Sequence, residues 1–253
     1  MKYYEKLIDF GCFNKEQIVQ LTGSEAAASS LLYDYQKKGY IERVRRNFYA
    51  VISLETKQPL YSRYQLGSHI AEDACISHHS AFEVYGYANQ VFYEVYVATN
   101  LRFEKFEYDG IWYQKIERKK NIDMIQNGQI RITGIEQTVV DSIRDFEKIA
   151  GIEEVLRCIL LIPDLKEEKL LEALERYQNG FLYQKCGYIF EQLRDRFSLS
   201  DNFFVECERH IATTKRYLRK EYKDTKWHEK WHLYAPKQLE NLVNKGVNNY
   251  DAV

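Results

Sequence analysis

The chain has 253 residues, with 36 Lys+Arg against 37 Asp+Glu for a net charge of -1, and is 45% hydrophobic and 15% aromatic. That balance excludes a disordered chain, a collagen-like repeat and a nucleic-acid binder working by bulk positive charge alone. The length suits about one to three domains. No apolar run approaches the roughly 18 residues that cross a bilayer, and the opening Met1 to Lys6 lacks the apolar stretch of a signal peptide, so a soluble cytoplasmic protein with no membrane partner is expected.

Tyr3, Tyr4, Leu7, Ile8 and Phe10 recur near helical spacing, and Gly11 follows as a C-terminal stop. Asn14 caps a second short helix, Lys15 to Leu21, with Ile18, Val19 and Leu21 on its apolar face. Ser24 caps a third, in which Ala28, Leu31, Leu32 and Tyr35 fall at i, i+3, i+4 and i+7 before Gly39 ends it. Tyr40 to Val44, the polar turn Arg45-Arg46-Asn47 and Phe48 to Ile52 then read as a tight hairpin, because Asn tolerates positive φ. Three short helices and a basic hairpin in about fifty residues predict a winged helix-turn-helix over residues 1–53.

Charge placement points this module at DNA. Arg43, Arg45 and Arg46 lie at the hairpin tip, and Lys37 and Lys38 end the third helix, where cations suit phosphates. The third helix opens with small residues, Ser24-Glu25-Ala26-Ala27-Ala28-Ser29-Ser30, which let a helix axis sit deep in a major groove. Ser24, Ser29, Ser30 and Tyr33 lie off the apolar stripe, where hydroxyls can reach base edges or phosphates. A three-helix cap that binds a protein is the competing reading of the same pattern.

Residues 54–62, polar with one proline, read as a linker. A helix follows from Tyr64, with Leu66, Ile70, Ala71 and Ala74 as its apolar positions. Val91 to Ala98, Ile111 to Ile116 and Ile130 to Thr133 then read as strands, which makes 63–134 a mixed α/β region. Helical patterns run through Ile135–Phe146, Glu153–Leu161, Lys166–Tyr177, Lys185–Phe197 and Asp201–Ile211, so 135–253 is expected to be mainly helical and the fold class α+β. Arg209 to Lys230 holds eight Lys/Arg against Glu221, Asp224 and Glu229, a basic surface that the overall -1 conceals.

Gly39-Tyr40-Ile41-Glu42-Arg43-Val44-Arg45-Arg46-Asn47-Phe48-Tyr49-Ala50, read beside Ile76 to Gly86, resembles the AbiEi family of antitoxins and transcriptional repressors. Ile132 to Asp141 and Cys186 to Glu191 are similar to it as well, and the order and spacing of the four segments span roughly residues 1 to 236. The resemblance implies a DNA-binding antitoxin that represses its own operon at inverted repeats in double-stranded promoter DNA. It implies a nucleotidyltransferase-like toxin as functional partner, countered without a stable complex by the larger domain, residues 63–253. Asn47 stands where the family often has Gly, and Asn can take the same backbone geometry. For antitoxicity the basic stretch Lys215, Arg216, Arg219, Lys220, Lys223 and Lys226 is the candidate surface, against the plainer reading of a solvated charged face.

No catalytic motif, cofactor or metal is expected. The five cysteines, Cys12, Cys75, Cys158, Cys186 and Cys207, are scattered and without C-x-x-C, which signals neither a disulfide framework nor a structural zinc site. His228-Glu229-Lys230-Trp231-His232 satisfies H-E-x-x-H, but its basic flank, Pro236 and the strand-like alternation of Trp231 to Tyr234 argue against a zinc helix. Asp109, Glu117 and Lys119 faintly resemble the carboxylates and lysine of metal-dependent nucleases, the alternative function; a repressor with no toxin partner is a third reading. His78-His79-Ser80 reads as a polar start to a helix, with no acidic orienter identifiable.

Overall fold

The computed structural model describes residues 3–119, 121–220 and 225–239, which form two compact units. Of the described residues, the first comprises 3–76, 92–117 and 126–132; the second comprises 77–91, 118–119, 121–125, 133–220 and 225–239. The units therefore interleave along the chain, whereas the boundaries at 53/54 and 62/63 read from the sequence are sequential.

The first unit opens with α1 (Tyr4–Phe10), which stops at Gly11, φ 63°. A side chain there would lie 1.9 Å from the Tyr61 ring, so Gly11 is required by both its backbone and its neighbour. A short strand, β1 (Cys12–Asn14), leads into α2 (Lys15–Thr22). Asn14 and Gln17 close a reciprocal capping box, at 2.9 Å for Gln17 N to Asn14 Oδ1 and 2.8 Å for Asn14 N to Gln17 Oε1. α3 (Glu25–Lys37) follows its Ser24 cap, and β2 (Ile41–Arg45) and β3 (Phe48–Val51) make the hairpin. Strand order is β1-β3-β2. The addition of β1 to the hairpin was not legible in the pattern, because three residues are too few to show a period of two.

These elements close around Leu7, Phe13, Ile18, Ala28, Leu31, Leu32, Tyr35, Ile41 and Val51. Burying each of the larger side chains contributes about 1.5–3 kcal/mol, which is what makes such short helices stable. Residues 54–62 fold back on the hairpin: Ile52 bridges Pro59, Leu60 N donates to Val51 O at 2.9 Å and Ser53 N to Gln58 O at 2.9 Å. The expected linker is thus a closed loop on β3.

α4 (Arg63–His69) is shorter than its apolar spacing suggested. Its far end is held by Arg131, whose guanidinium donates to the carbonyls of Ser68, Ala71 and Glu72. A six-stranded sheet follows: β4 (Cys75–Ile76), β5 (Glu94–Thr99), β6 (Phe106–Tyr108), β7 (Ile111–Glu117), β8 (Met124–Asn127) and β9 (Ile130–Thr133), in the order β6-β7-β5-β4-β9-β8. β5 and β7 pair in parallel from Glu94↔Trp112 to Thr99↔Glu117, and β4 joins β5 antiparallel. Val95, Tyr96, Val97 and Ala98 are all buried, the near-continuous apolar run of a strand covered on both faces.

The second unit packs α5 (His78–Tyr85), α6 (Ile135–Ile149), α7 (Ile152–Leu161), α8 (Glu167–Glu175), α9 (Gly180–Gln192) and α10 (Asp201–His210) around one core. α9 begins five residues before the expected Lys185. Asn179 caps it, accepting from Phe181 N at 3.0 Å, and Gly180 sits against the backbone at His210 and Ala212, so its glycine marks close packing rather than a break. The region expected to be mainly helical ends in a small sheet of β10 (Arg216–Tyr217), β11 (Thr225–His228) and β12 (Leu233–Pro236), ordered β10-β12-β11. No helix among the described residues is long and apolar enough to cross a membrane.

Candidate nucleic-acid interface

Helical geometry sorts α3 into two faces. Ala28, Leu31, Leu32 and Tyr35 are buried, while Ala26, Ala27, Ser29, Ser30, Tyr33 and Lys37 are exposed, Tyr33 at 68%. Ala26, Ser30, Tyr33 and Lys37 stand at i, i+4, i+7 and i+11 and form one solvent-facing stripe. Ser24 is exposed as well, but its Oγ already accepts from Ala27 N at 3.2 Å, so only its hydroxyl proton is available to a partner. Past the helix Lys38 is exposed, and Tyr40 N returns to Tyr35 O at 2.9 Å to aim the chain into β2.

The hairpin divides its three arginines. Arg43 and Arg46 are exposed, and Arg43 Nε donates to Arg45 O at 3.3 Å across the register shift between Arg43 and Arg45. That bulge buries Val44 and turns Arg45 against aromatic rings, its guanidinium carbon 5.1 Å from the Phe103 centroid and 5.7 Å from that of Phe106. Arg45 is half-buried, and desolvation lowers its pKa. Of the nine residues expected to meet DNA, eight are therefore solvent-facing and Arg45 belongs in part to the fold.

The described residues of the basic C-terminal stretch lie on strands and bends, not on a helix. Lys215, Arg216 and Lys226 are exposed, with Lys215 5.0 Å from the Trp227 ring centroid and Arg216 5.7 Å from that of Phe181. Arg219 pairs with Glu153 at 2.9 Å and Lys220 with Glu147 at 3.1 Å. Lys223 lies outside the described residues.

The motifs for metal chemistry separate in space. Asp109 sits in the turn before β7 and Glu117 at that strand's far end; at about 3.3 Å per residue they are roughly 25 Å apart and share no cation. Lys119 Nζ lies 5.8 Å from the centroid of the Tyr177 ring. In the H-E-x-x-H segment, His228 ends β11 and contacts Pro236 O at 3.1 Å. Glu229–Trp231 form a 3-10 turn, and His232 follows at φ 45° with Nδ1 3.2 Å from Ala212 O. The two imidazoles are thus spent on different carbonyls.

What residue types alone did not reveal is a set of buried ionisable groups on α5, α6 and α7. His78 has φ 55°, uncommon for a residue with a β-carbon, and its ring bridges Ser77 Oγ at 2.9 Å and Asp145 Oδ2 at 3.4 Å. Asp145 also takes Arg144 Nε at 2.7 Å and Lys148 Nζ at 2.9 Å. Burial works to raise its pKa, but His78, Arg144 and Lys148 outweigh that and hold the carboxyl well below the usual range. His79 contacts Glu83 and Glu154, acidic orienters that adjacency in sequence gave no hint of. The available signals were H-x-x-x-E at 79/83 and E-x-x-x-C at 154/158, each one helical turn.

Together the elements define a mixed α/β protein whose first fifty residues are a three-helix, three-stranded module with a small-residue helix and a basic hairpin turned to solvent. Residues 5–52 match the family described as "Transcriptional regulator, AbiEi antitoxin". No curated protein matches the chain. Among solved structures it is similar to the RV2827C protein of Mycobacterium tuberculosis, with a TM-score of 0.63 and 12% identity over 98% of this chain and 95% of that one, a likeness of fold.

Proposed function

We propose that the protein is a DNA-binding antitoxin that represses its own operon through a winged helix-turn-helix in residues 1–53 and counters a nucleotidyltransferase-like toxin through residues 63–253. The observation that carries the DNA half is the two-faced α3, anchored by Ala28, Leu31, Leu32 and Tyr35 and presenting Ser29, Ser30, Tyr33 and Lys37 outward. The family of the segment 5–52 supports the same reading. Small residues at 26–30 let the helix approach the floor of a major groove, where the serine and tyrosine hydroxyls meet base edges. Lys37, Lys38, Arg43 and Arg46 take phosphates on either side, and Arg45 sets the hairpin's angle by packing. Two molecules on an inverted repeat, spaced by helical turns, supply enough contacts for a specific site.

The decisive measurement is the salt dependence of binding to promoter and random duplexes. Arg43→Ala with Arg46→Ala should weaken both and lower the slope of log K against log salt by about 1.8, two phosphates at roughly 0.9 each. An unchanged slope would remove the hairpin from the DNA face.

The toxin half rests on the family and on the exposed cations Lys215, Arg216 and Lys226, which suit the toxin or its nucleic-acid substrate. Since no stable complex is expected, rescue of growth rather than co-purification reports this activity.

A further inference from the structure

The second unit holds a buried donor set that the DNA reading leaves unused. α5 carries His79 and, one turn later, Glu83; α7 carries Glu154 and, one turn later, Cys158. His79 Nδ1 lies 2.8 Å from Glu83 Oε1, and its Nε2 lies 3.1 Å from Glu154 Oε1. Cys158 Sγ is 3.7 Å from that same oxygen. The side chains of His79 and Glu154 are 2% exposed, that of Glu83 1% and Cys158 0%. Among the described residues these three, His79, Glu154 and Cys158, bring a nitrogen, a carboxylate oxygen and a sulfur within 4.8 Å of one another.

Those separations have a chemical meaning. A tetrahedral ion bonded at about 2.0–2.3 Å to nitrogen, oxygen and sulfur holds its ligands roughly 3.3–3.8 Å apart. The nitrogen–oxygen and oxygen–sulfur edges of this triangle are already close to that range. The surrounding groups also point the donors inward. Glu83 engages Nδ1 of His79 and so turns Nε2 toward the other two, the arrangement in which a carboxylate orients a metal-binding imidazole. Glu154 Oε2 is occupied by Gln90 Nε2 at 2.7 Å and Arg157 NH1 at 3.2 Å, which leaves Oε1 to face the histidine and the thiol.

We propose that His79 Nε2, Glu154 Oε1 and Cys158 Sγ form a site for a thiophilic divalent transition metal, Zn²⁺ foremost, with Glu83 as the orienting group. The donors are one neutral nitrogen, one carboxylate and one thiolate, a borderline-soft set that suits Zn²⁺ and Co²⁺ and disfavours Mg²⁺ or Ca²⁺. Binding a divalent ion displaces the thiol proton and any proton on Nε2, while Nδ1 keeps the proton it donates to Glu83. Because every donor is buried, loading accompanies folding, and the metal ties α5 to α7. The sequence offered no metal motif because the three ligands come from two helices far apart in the chain.

The test uses the full chain, expressed with supplemented Zn²⁺ or Co²⁺ and passed over a desalting column with chelator. The site requires about one metal per folded chain by elemental analysis, a thiolate-to-cobalt charge-transfer band in the Co²⁺ form, and a melting temperature that rises with metal loading. Cys158→Ser, nearly isosteric, should stay folded by circular dichroism yet lose the band and the metal-dependent rise; His79→Gln should lose stoichiometric metal. A folded wild-type chain without stoichiometric metal would overturn the proposal and leave a hydrogen-bonded ion network. So would a band that persists in Cys158→Ser, since it would belong to another cysteine.

Discussion

Asn47 Nδ2 stands 2.8 and 3.0 Å from the two carboxylate oxygens of Glu16, and its Oδ1 accepts from Lys15 N at 3.1 Å, so the hairpin turn is tied to the first turn of α2. The same residue has φ 61°, so one side chain meets a backbone demand and makes a tertiary tie. Asn47→Gly should keep the turn and lose the tie, at about 1 kcal/mol. Asn47→Ala adds left-handed strain and should lose roughly 1 kcal/mol more. Denaturant midpoints should therefore fall in the order wild type, Gly, Ala.

Arg45 and Arg46 are neighbours with different work. Arg45→Ala removes a guanidinium packed on Phe103 and Phe106, so its main effect should be a lower melting temperature. Arg46→Ala should leave the melting temperature within about a degree, as expected of an exposed surface change, and reduce the salt slope of DNA binding by about 0.9. Equal effects of both variants on stability would contradict the burial difference.

Gly187 lies under the fully buried indole of Trp231, where an added β-carbon would come within 2.2 Å of Cζ3. Trp231 is itself fixed by Nε1 donating to Glu191 at 2.6 Å, so the ring has little room to yield. Gly187→Ala should destabilise the chain by about 1–3 kcal/mol through overpacking. Combined with Trp231→Phe it should cost less than the sum of the two single changes, a coupling that a double-mutant cycle reads directly.

Asp145 has a depressed folded-state pKa, so it binds its proton less readily folded than unfolded. Its contribution is fully present above the ordinary carboxylate pKa of about 3.9 and is lost as pH falls below that value toward the depressed one. Asp145→Asn should accordingly lower stability at neutral pH and flatten the acid limb of the stability curve. Urea titrations from pH 7 down to about 3 would show the two curves converging in acid; parallel curves would contradict the ion-pair assignment.

Reversal of Lys215, Arg216 and Lys226 to Glu should abolish rescue from the toxin in a growth assay while promoter affinity stays at the wild-type value. The three side chains are exposed, so folding should be retained. Intact rescue would remove this surface from antitoxicity.

The N-terminal module was legible because its signals are local. Asn14 and Ser24 cap their helices through bonds spanning three residues, and Asn47 sets a turn by its own backbone conformation. The Lys185 start predicted for α9 missed by five residues because Gly180 looks like a breaker until its close approach to Ala212 is known. Of the small C-terminal sheet only the strand-like alternation of Trp231 to Tyr234, which overlaps β12, was legible: β10 has two residues and pairs in parallel with β12, a partner that local pattern cannot supply.

The sequence by itself therefore determined the three helices and the hairpin of the first fifty residues, the solvent-facing composition of α3 and the basic character of the hairpin, since each follows from periodicity, capping and backbone preference within a few residues. Only the tertiary structure decided that Arg45 turns onto Phe103, that Asp109 and Glu117 part company along β7, and that His79 meets Glu154 across 75 residues of chain. Such contacts arise when helices and strands bury their apolar faces together, and which polar groups are carried into the interior depends on that packing rather than on spacing along the chain.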